Sequence, residues 1–186
     1  VYNNKLNLHI LEGTFAESEY LIPEILEKIK LHNEHLDEHH EMVFYYKIAC
    51  IYFGNEKYNE SIHYLDKIIN NKNLSMREDL MCFARILSLI VHYELGKDYY
   101  LENLLKNTYK FLLKMNDLHE VQKEIIKFLK NLNNFYPADI KKEFIKMRTR
   151  FIELEKITYE KRAFLYLDII SWLESKIENR KIADIM

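Results

Sequence analysis

An all-α fold is what this sequence predicts, on three observations. Apolar residues recur at i, i+3, i+4 and i+7 through most of the chain, the mark of helices with one buried stripe. No segment keeps a period-two alternation for long. Three Gly and two Pro in 186 residues leave few places for the turns of a sheet. The length suits one well-cored domain and is short for two. The spacing predicts about nine helices, grouped as hairpins over about 1–38, 41–72, 76–115 and 117–157, with a capping helix over 160–182.

Residues 2–12 read as one helix, closed by Gly13-Thr14. The next carries Tyr20, Ile22, Ile25, Leu26 and Ile29 on one side, and Pro23 inside it predicts a kink, because proline removes a helical donor. Phe15, Glu17 and Ser18 return 43 residues later as Tyr58, Glu60 and Ser61. The central stretch, Phe44 to Ile69, is the clearest hairpin. Tyr45, Ile48, Ala49 and Tyr52 form one stripe, and Phe44, Ile51 and Phe53 make that helix apolar around much of its girth, so it is expected to be buried on two sides. Gly54-Asn55 supplies a turn, since both residues tolerate a left-handed backbone. Ile62, Leu65, Ile68 and Ile69 line the partner helix, which so short a connection makes antiparallel.

A further helix carries Phe83, Ala84, Leu87, Ser88, Val91 and Leu95, and Gly96 ends it. Four of these, Ala84, Leu87, Ser88 and Val91, echo the Tyr45 stripe at a spacing of 39. Leu101, Leu104, Leu105, Thr108 and Leu112 mark its partner. Val121, Ile125, Phe128 and Leu129 mark the next helix, and Phe144, Ile145, Met147, Phe151 and Leu154 the one after Pro137. The last helix, Arg162 to about Arg180, holds Leu165, Ile169, Trp172, Leu173 and Ile177.

Tyr45, Ile48, Ala49, Tyr52, Tyr58, Ser61 and Leu65 together resemble the tetratricopeptide (TPR) pattern of alternating aromatic, aliphatic and small positions. Ile48 stands for the family's leucine, Ala49 for its glycine, Ser61 for its alanine and Leu65 for its second aromatic; the terminal proline is missing. The match covers 26 of 186 residues. The resemblance implies a right-handed α-solenoid of antiparallel hairpins, here with repeats of about 39–43 residues. It also implies a concave groove that holds a peptide or protein. Tyr46, Cys50 and Phe53 fall on the face that lines this groove in the family, and a shift of 39 adds Arg85, Leu89 and His92. TPR domains that grip a terminal carboxylate use lysine and asparagine where Tyr46 and Cys50 stand. An extended or helical peptide held by apolar contacts therefore fits better.

Chemistry-bearing motifs are sparse. Gly13, Gly54 and Gly96 stand about 40 residues apart, each suits a turn, and none builds a phosphate loop. His32, His35 and His39 share one helical face and are the outside candidate for a metal site; no HExxH motif accompanies them. No catalytic set and no cofactor is expected. Lys123, Lys127 and Lys130 form one basic stripe and Lys142, Lys146 and Arg150 another, which a hairpin would merge. Residues 101–186 carry 17 basic against 13 acidic side chains, while residues 1–45 carry 3 against 9. This polarity suits an acidic partner. With a net charge of −2, general nucleic-acid binding is not expected.

Cys50 and Cys82 lie in apolar helical patterns and are expected as buried thiols of a cytoplasmic protein. No apolar run is long enough to span a membrane, and the first residues lack the basic and apolar regions of a signal peptide. The chain begins without Met, as a piece of a larger bacterial protein would. The functional expectation is a protein-binding scaffold, monomeric or weakly dimeric. The alternative is the peptide-sensing part of a transcriptional regulator whose DNA-binding part precedes Val1.

Overall fold

The computed structural model describes residues 2–31, 38–71, 78–96, 98–115, 118–131 and 134–186. All described secondary structure is helical, with no strand among the described residues. In order the helices are α1 (Tyr2–Leu11), α2 (Phe15–Glu19), α3 (Ile22–Leu31), α4 (Glu38–Gly54), α5 (Tyr58–Ile69), α6 (Glu78–Glu94), α7 (Asp98–Met115), α8 (Glu120–Asn131), α9 (Ile140–Glu155), α10 (Lys161–Tyr166) and α11 (Ile169–Glu178). Short 3-10 turns occupy Pro137–Asp139 and Ile182–Asp184.

Two of the nine expected helices are each broken in two. The break ahead of Pro23 falls at Tyr20–Leu21, so the proline sits in the first turn of α3, where its missing donor would go unused in any helix. A clean interruption replaces the expected kink, and it turns Tyr20 out to solvent at 85% exposure. The second break is at Leu167, whose backbone is extended (φ −145°, ψ 119°). Asp168 then starts α11 by accepting from the Ser171 backbone N–H at 3.0 Å. Breaking the helix there takes Leu165, expected in its stripe, out of register; it is 85% exposed. Ile145 of α9, also expected to be covered, is 44% exposed.

Helices adjacent in sequence pack on one another from α4 through α7, and α4 also touches α6. The α4–α5 pair is antiparallel in its contacts: Phe53 lies beside Tyr58, the Ser61 hydroxyl donates to the Ala49 carbonyl at 2.9 Å, and Tyr45 meets Tyr64. Ala49 and Ser61 are both fully buried, so the two backbones approach closely where a larger side chain would hold them apart. Gly54 has a different role from the expected one. The left-handed residue of this turn is Glu56 (φ 59°), and Gly54 is helical; a Cβ on it would fall inside the Phe15 ring of α2. Gly54 thus makes room for the α2–α4 contact.

The central helix is α6. Of residues 80–91 only Arg85 escapes full burial. Such a helix needs partners on every side. It finds them in α4, α5, α7 and α8, and in the C-terminal segment, whose Trp172, Leu173 and Ile169 are buried. The last helix was expected to cap the solenoid; α11 packs on α9 and also meets the end of α6, and the chain then returns to the N-terminal turn, where a Cβ on Gly13 would stand 2.8 Å from the Met186 Cβ. No helix among the described residues is long and apolar enough to cross a membrane.

Candidate peptide-holding face and basic cleft

The α4 residues expected to line the groove are buried, and the chain's own C-terminal segment meets them at Tyr46. Tyr46, Cys50 and Phe53 of α4 are at most 8% exposed. The Tyr46 hydroxyl donates to the Tyr166 carbonyl at 2.9 Å, and the two rings meet edge to face. Burial raises the Tyr46 hydroxyl well above its ordinary pKa and pushes the Cys50 thiol up to about 12, so both stay protonated donors at neutral pH. Cys50 and Cys82 are free thiols.

The 39-residue shift does not carry this face onto α6. Arg85 points the other way, donating to the Ile69 carbonyl at 3.3 Å and lying 4.1 Å from the Phe111 ring centre. Leu89 is fully buried, and His92 bonds back to Ser88 within its own helix. The α6 residue that faces Tyr166 is Phe83, stacked on it at 4.5 Å and 12°. Phe83 lies 37 residues after Tyr46. Two residues of offset rotate a helix by more than half a turn, which explains why the shifted set landed on the opposite side.

Each end of α6 carries an acid that takes two donors from the C-terminal segment. At the start of α6, Asp79 accepts from Arg162 at 2.9 Å and from the Tyr166 hydroxyl at 2.5 Å. At its end, Glu94 accepts from the Trp172 indole N–H at 2.6 Å and from the Lys176 ammonium. Both pairs place an aromatic donor and a cation four residues apart on one helix. Glu94 is nearly buried, its side chain 8% exposed, so these charge-assisted bonds act in a low-dielectric setting. Arg148 of α9 reaches Glu174 in the same region.

Beside it, Glu160 caps α8 from a distance in sequence. Its carboxylate accepts the backbone N–H groups of Glu120 and Val121 at 3.1 and 3.2 Å, and His119 Nδ1 stands 3.8 Å away. Tyr159 stacks on the His119 ring at 4.6 Å. Gln122 completes the cap by accepting from the His119 backbone N–H. Of these residues the sequence singled out Trp172, in an apolar stripe, and Arg162, Glu174 and Lys176, as the polar face of a last helix; Asp79, Glu94, His119, Gln122, Tyr159, Glu160 and Tyr166 it did not.

Of the basic residues, Lys127, Lys146 and Arg150 come together at one cleft of about 240 Å³ between α8 and α9. Phe128, Phe135 and Met147 form its apolar lining, and Glu124 and Glu143 stand among the cations. Lys123 pairs with Glu120, Lys142 with Asp139 and Lys146 with Glu143, each within its own turn. Lys123, Lys130 and Lys142 do not line the cleft. A larger concavity of about 600 Å³ lies against Tyr20, Pro23, Asn55 and Lys57, where Glu19 accepts from both Asn55 and Lys57.

His32 and His35 lie outside the described residues. Among the described residues, which include His39, no group of three or more His, Cys, Asp or Glu side chains is placed to hold a metal ion. No protein-family model, curated protein or solved structure matches this chain.

Proposed function

We propose that this chain is a peptide- and protein-binding helical module of TPR-like solenoid design, working by contact and not by catalysis. One observation carries the reading: the α4–α6 face already holds a peptide segment, its own. Residues 162–176 meet it as helix, extended residue and helix, addressed by Tyr46, Asp79, Phe83 and Glu94. An external partner of this face competes with that segment. It would present the same donors, an aromatic and a cation four residues apart.

The only tryptophan of the chain reports on this face, because Trp172 is 1% exposed. A labelled peptide of residues 160–182 is added to wild type and to Arg162→Ala/Tyr166→Phe/Lys176→Ala, which removes donors of the chain's own segment and leaves Asp79 and Glu94 on the face intact. In the variant, Trp172 emission moves to the red with helical circular dichroism retained, and the peptide binds; wild type binds it at least tenfold more weakly. A variant whose Trp172 is released but which takes up no peptide would leave the face as a structural interface only.

A further inference from the structure

Two surface regions of the molecule carry exposed features that complement each other. The α2–α3 corner puts Tyr20 out at 85% exposure, with the exposed carboxylates of Glu17 and Glu24 on either side of it in sequence; Glu24 also accepts from the Tyr2 hydroxyl at 2.5 Å and pairs with Lys28 at 3.2 Å across a half-exposed contact. Residues 1–45 carry 9 acidic against 3 basic side chains. Elsewhere, the α8–α9 cleft sets Lys127, Lys146 and Arg150 around an apolar lining. Its volume, about 240 Å³, falls below the roughly 300–1,000 Å³ of sites that enclose a whole small molecule. It suits one large side chain of a bigger partner, ringed by anions.

From this match we propose that the α8–α9 cleft receives the Tyr20 corner of a second copy of this chain, in a head-to-tail contact. Glu17 and Glu24 of the incoming copy meet Lys127, Lys146 and Arg150, and the Tyr20 ring enters between Phe128 and Met147. The cleft is not a plain cationic patch. Glu124 and Glu143 on its rim oppose a continuous phosphate backbone, yet they can accept a hydrogen bond from a phenol. Because the two surfaces differ, the contact is heterologous and repeats from copy to copy instead of closing as a two-fold dimer. The contact uses neither Tyr46 nor the clamps on α6, so it stands apart from the reading of the α4–α6 face.

Sedimentation velocity of the full chain over a wide concentration range tests this. The expected result is a mass that grows with concentration at about 50 mM salt and returns to monomer at about 500 mM, as contacts between exposed charges are screened. Tyr20→Ala removes one surface and Lys127→Glu/Arg150→Glu the other; all three side chains are exposed, so neither variant disturbs the core. Each variant alone stays monomeric, and their equimolar mixture forms a 1:1 dimer that grows no further. Three results would each overturn the proposal. These are a wild type monomeric throughout at low salt, variants that still associate, or a mixture that gives no dimer, as a two-fold contact would. If wild type is monomeric but an acidic, tyrosine-bearing peptide binds and Lys127→Glu/Arg150→Glu abolishes it, the cleft serves a foreign partner and the self-contact is refuted.

Discussion

The α4–α6 face and the α8–α9 cleft are built from the same side-chain types, aromatics, cations and carboxylates, with opposite results. On α6, Glu94 holds the buried Trp172 indole and Lys176 in a nearly buried contact, while Asp79 takes the Tyr166 hydroxyl and a half-exposed Arg162. In the cleft, Lys146 is paired within its own turn, and Lys127 and Arg150 remain exposed above the aromatic lining. The difference teaches that burial, and not composition, turns a charge pattern into a structural joint. A buried carboxylate loses its hydration and must be satisfied by the protein, so removing its partner is costly. An exposed pair is largely indifferent to its partner.

Breaking the buried side should give the largest effects. Trp172→Ala leaves a cavity beside Phe144 and Tyr93 and frees Glu94 from its indole donor; a loss of about 3–5 kcal/mol is expected by chemical denaturation. Gly54→Ala pushes a methyl into the Phe15 ring, and a loss of about 1–3 kcal/mol is expected. Unchanged stability there would mean that α2 shifts away freely. Glu94→Gln keeps the shape but strips the charge beside Lys176, with a loss of about 1–3 kcal/mol and red-shifted Trp172 emission.

The lysines sharpen the contrast. Burial lowers the Lys47 amine on α4 to about 8 from its ordinary 10.5. Between those values the unfolded chain holds a proton that the folded chain has released, so this group makes stability rise with pH. Below pH 8 both states are protonated and its penalty is constant. Cys50, raised by burial from 9.0 to about 12, works the other way as pH climbs above 9. Lys47→Met should therefore be the more stable form at pH 7, by on the order of 1 kcal/mol after solvent screening, and lose that lead by pH 10. Urea midpoints of both proteins across this range decide it. The smallest effect belongs to the cleft: Lys127→Ala/Lys146→Ala should change stability by no more than about 0.5 kcal/mol.

Much of this architecture could be read from residue order. The stripes at Ile48, Ala49 and Leu65 and at Ala84, Leu87 and Val91 are buried, because an apolar period of 3.6 has no other stable use in water. The convergence of Lys127, Lys146 and Arg150 followed from two basic stripes on neighbouring helices. What escaped reading has physical causes. Arg85, Leu89 and His92 were placed by counting 39 residues from α4, and small offsets in register swing a side chain across a helix. Leu165 and Tyr20 look apolar in a helical pattern, but each lies at a break that turns it outward. The clamps at Asp79 and Glu94 join residues 78–87 positions apart, beyond the reach of any local pattern.

The sequence by itself determined that the chain is helical, which faces of its helices are apolar and that its two ends carry opposite charge. These are properties of residue spacing and count. Only the tertiary structure decided that residues 161–186 return to the Gly13 turn and on the way meet Tyr46 of α4 and Asp79, Phe83 and Glu94 of α6, on the face that the repeat pattern would leave open. The physical reason is that α4 and α6 are apolar on more sides than their neighbouring hairpins can cover. Which distant segment supplies the missing surface depends on where the chain's turns deliver Trp172, Tyr166 and their two acids in space.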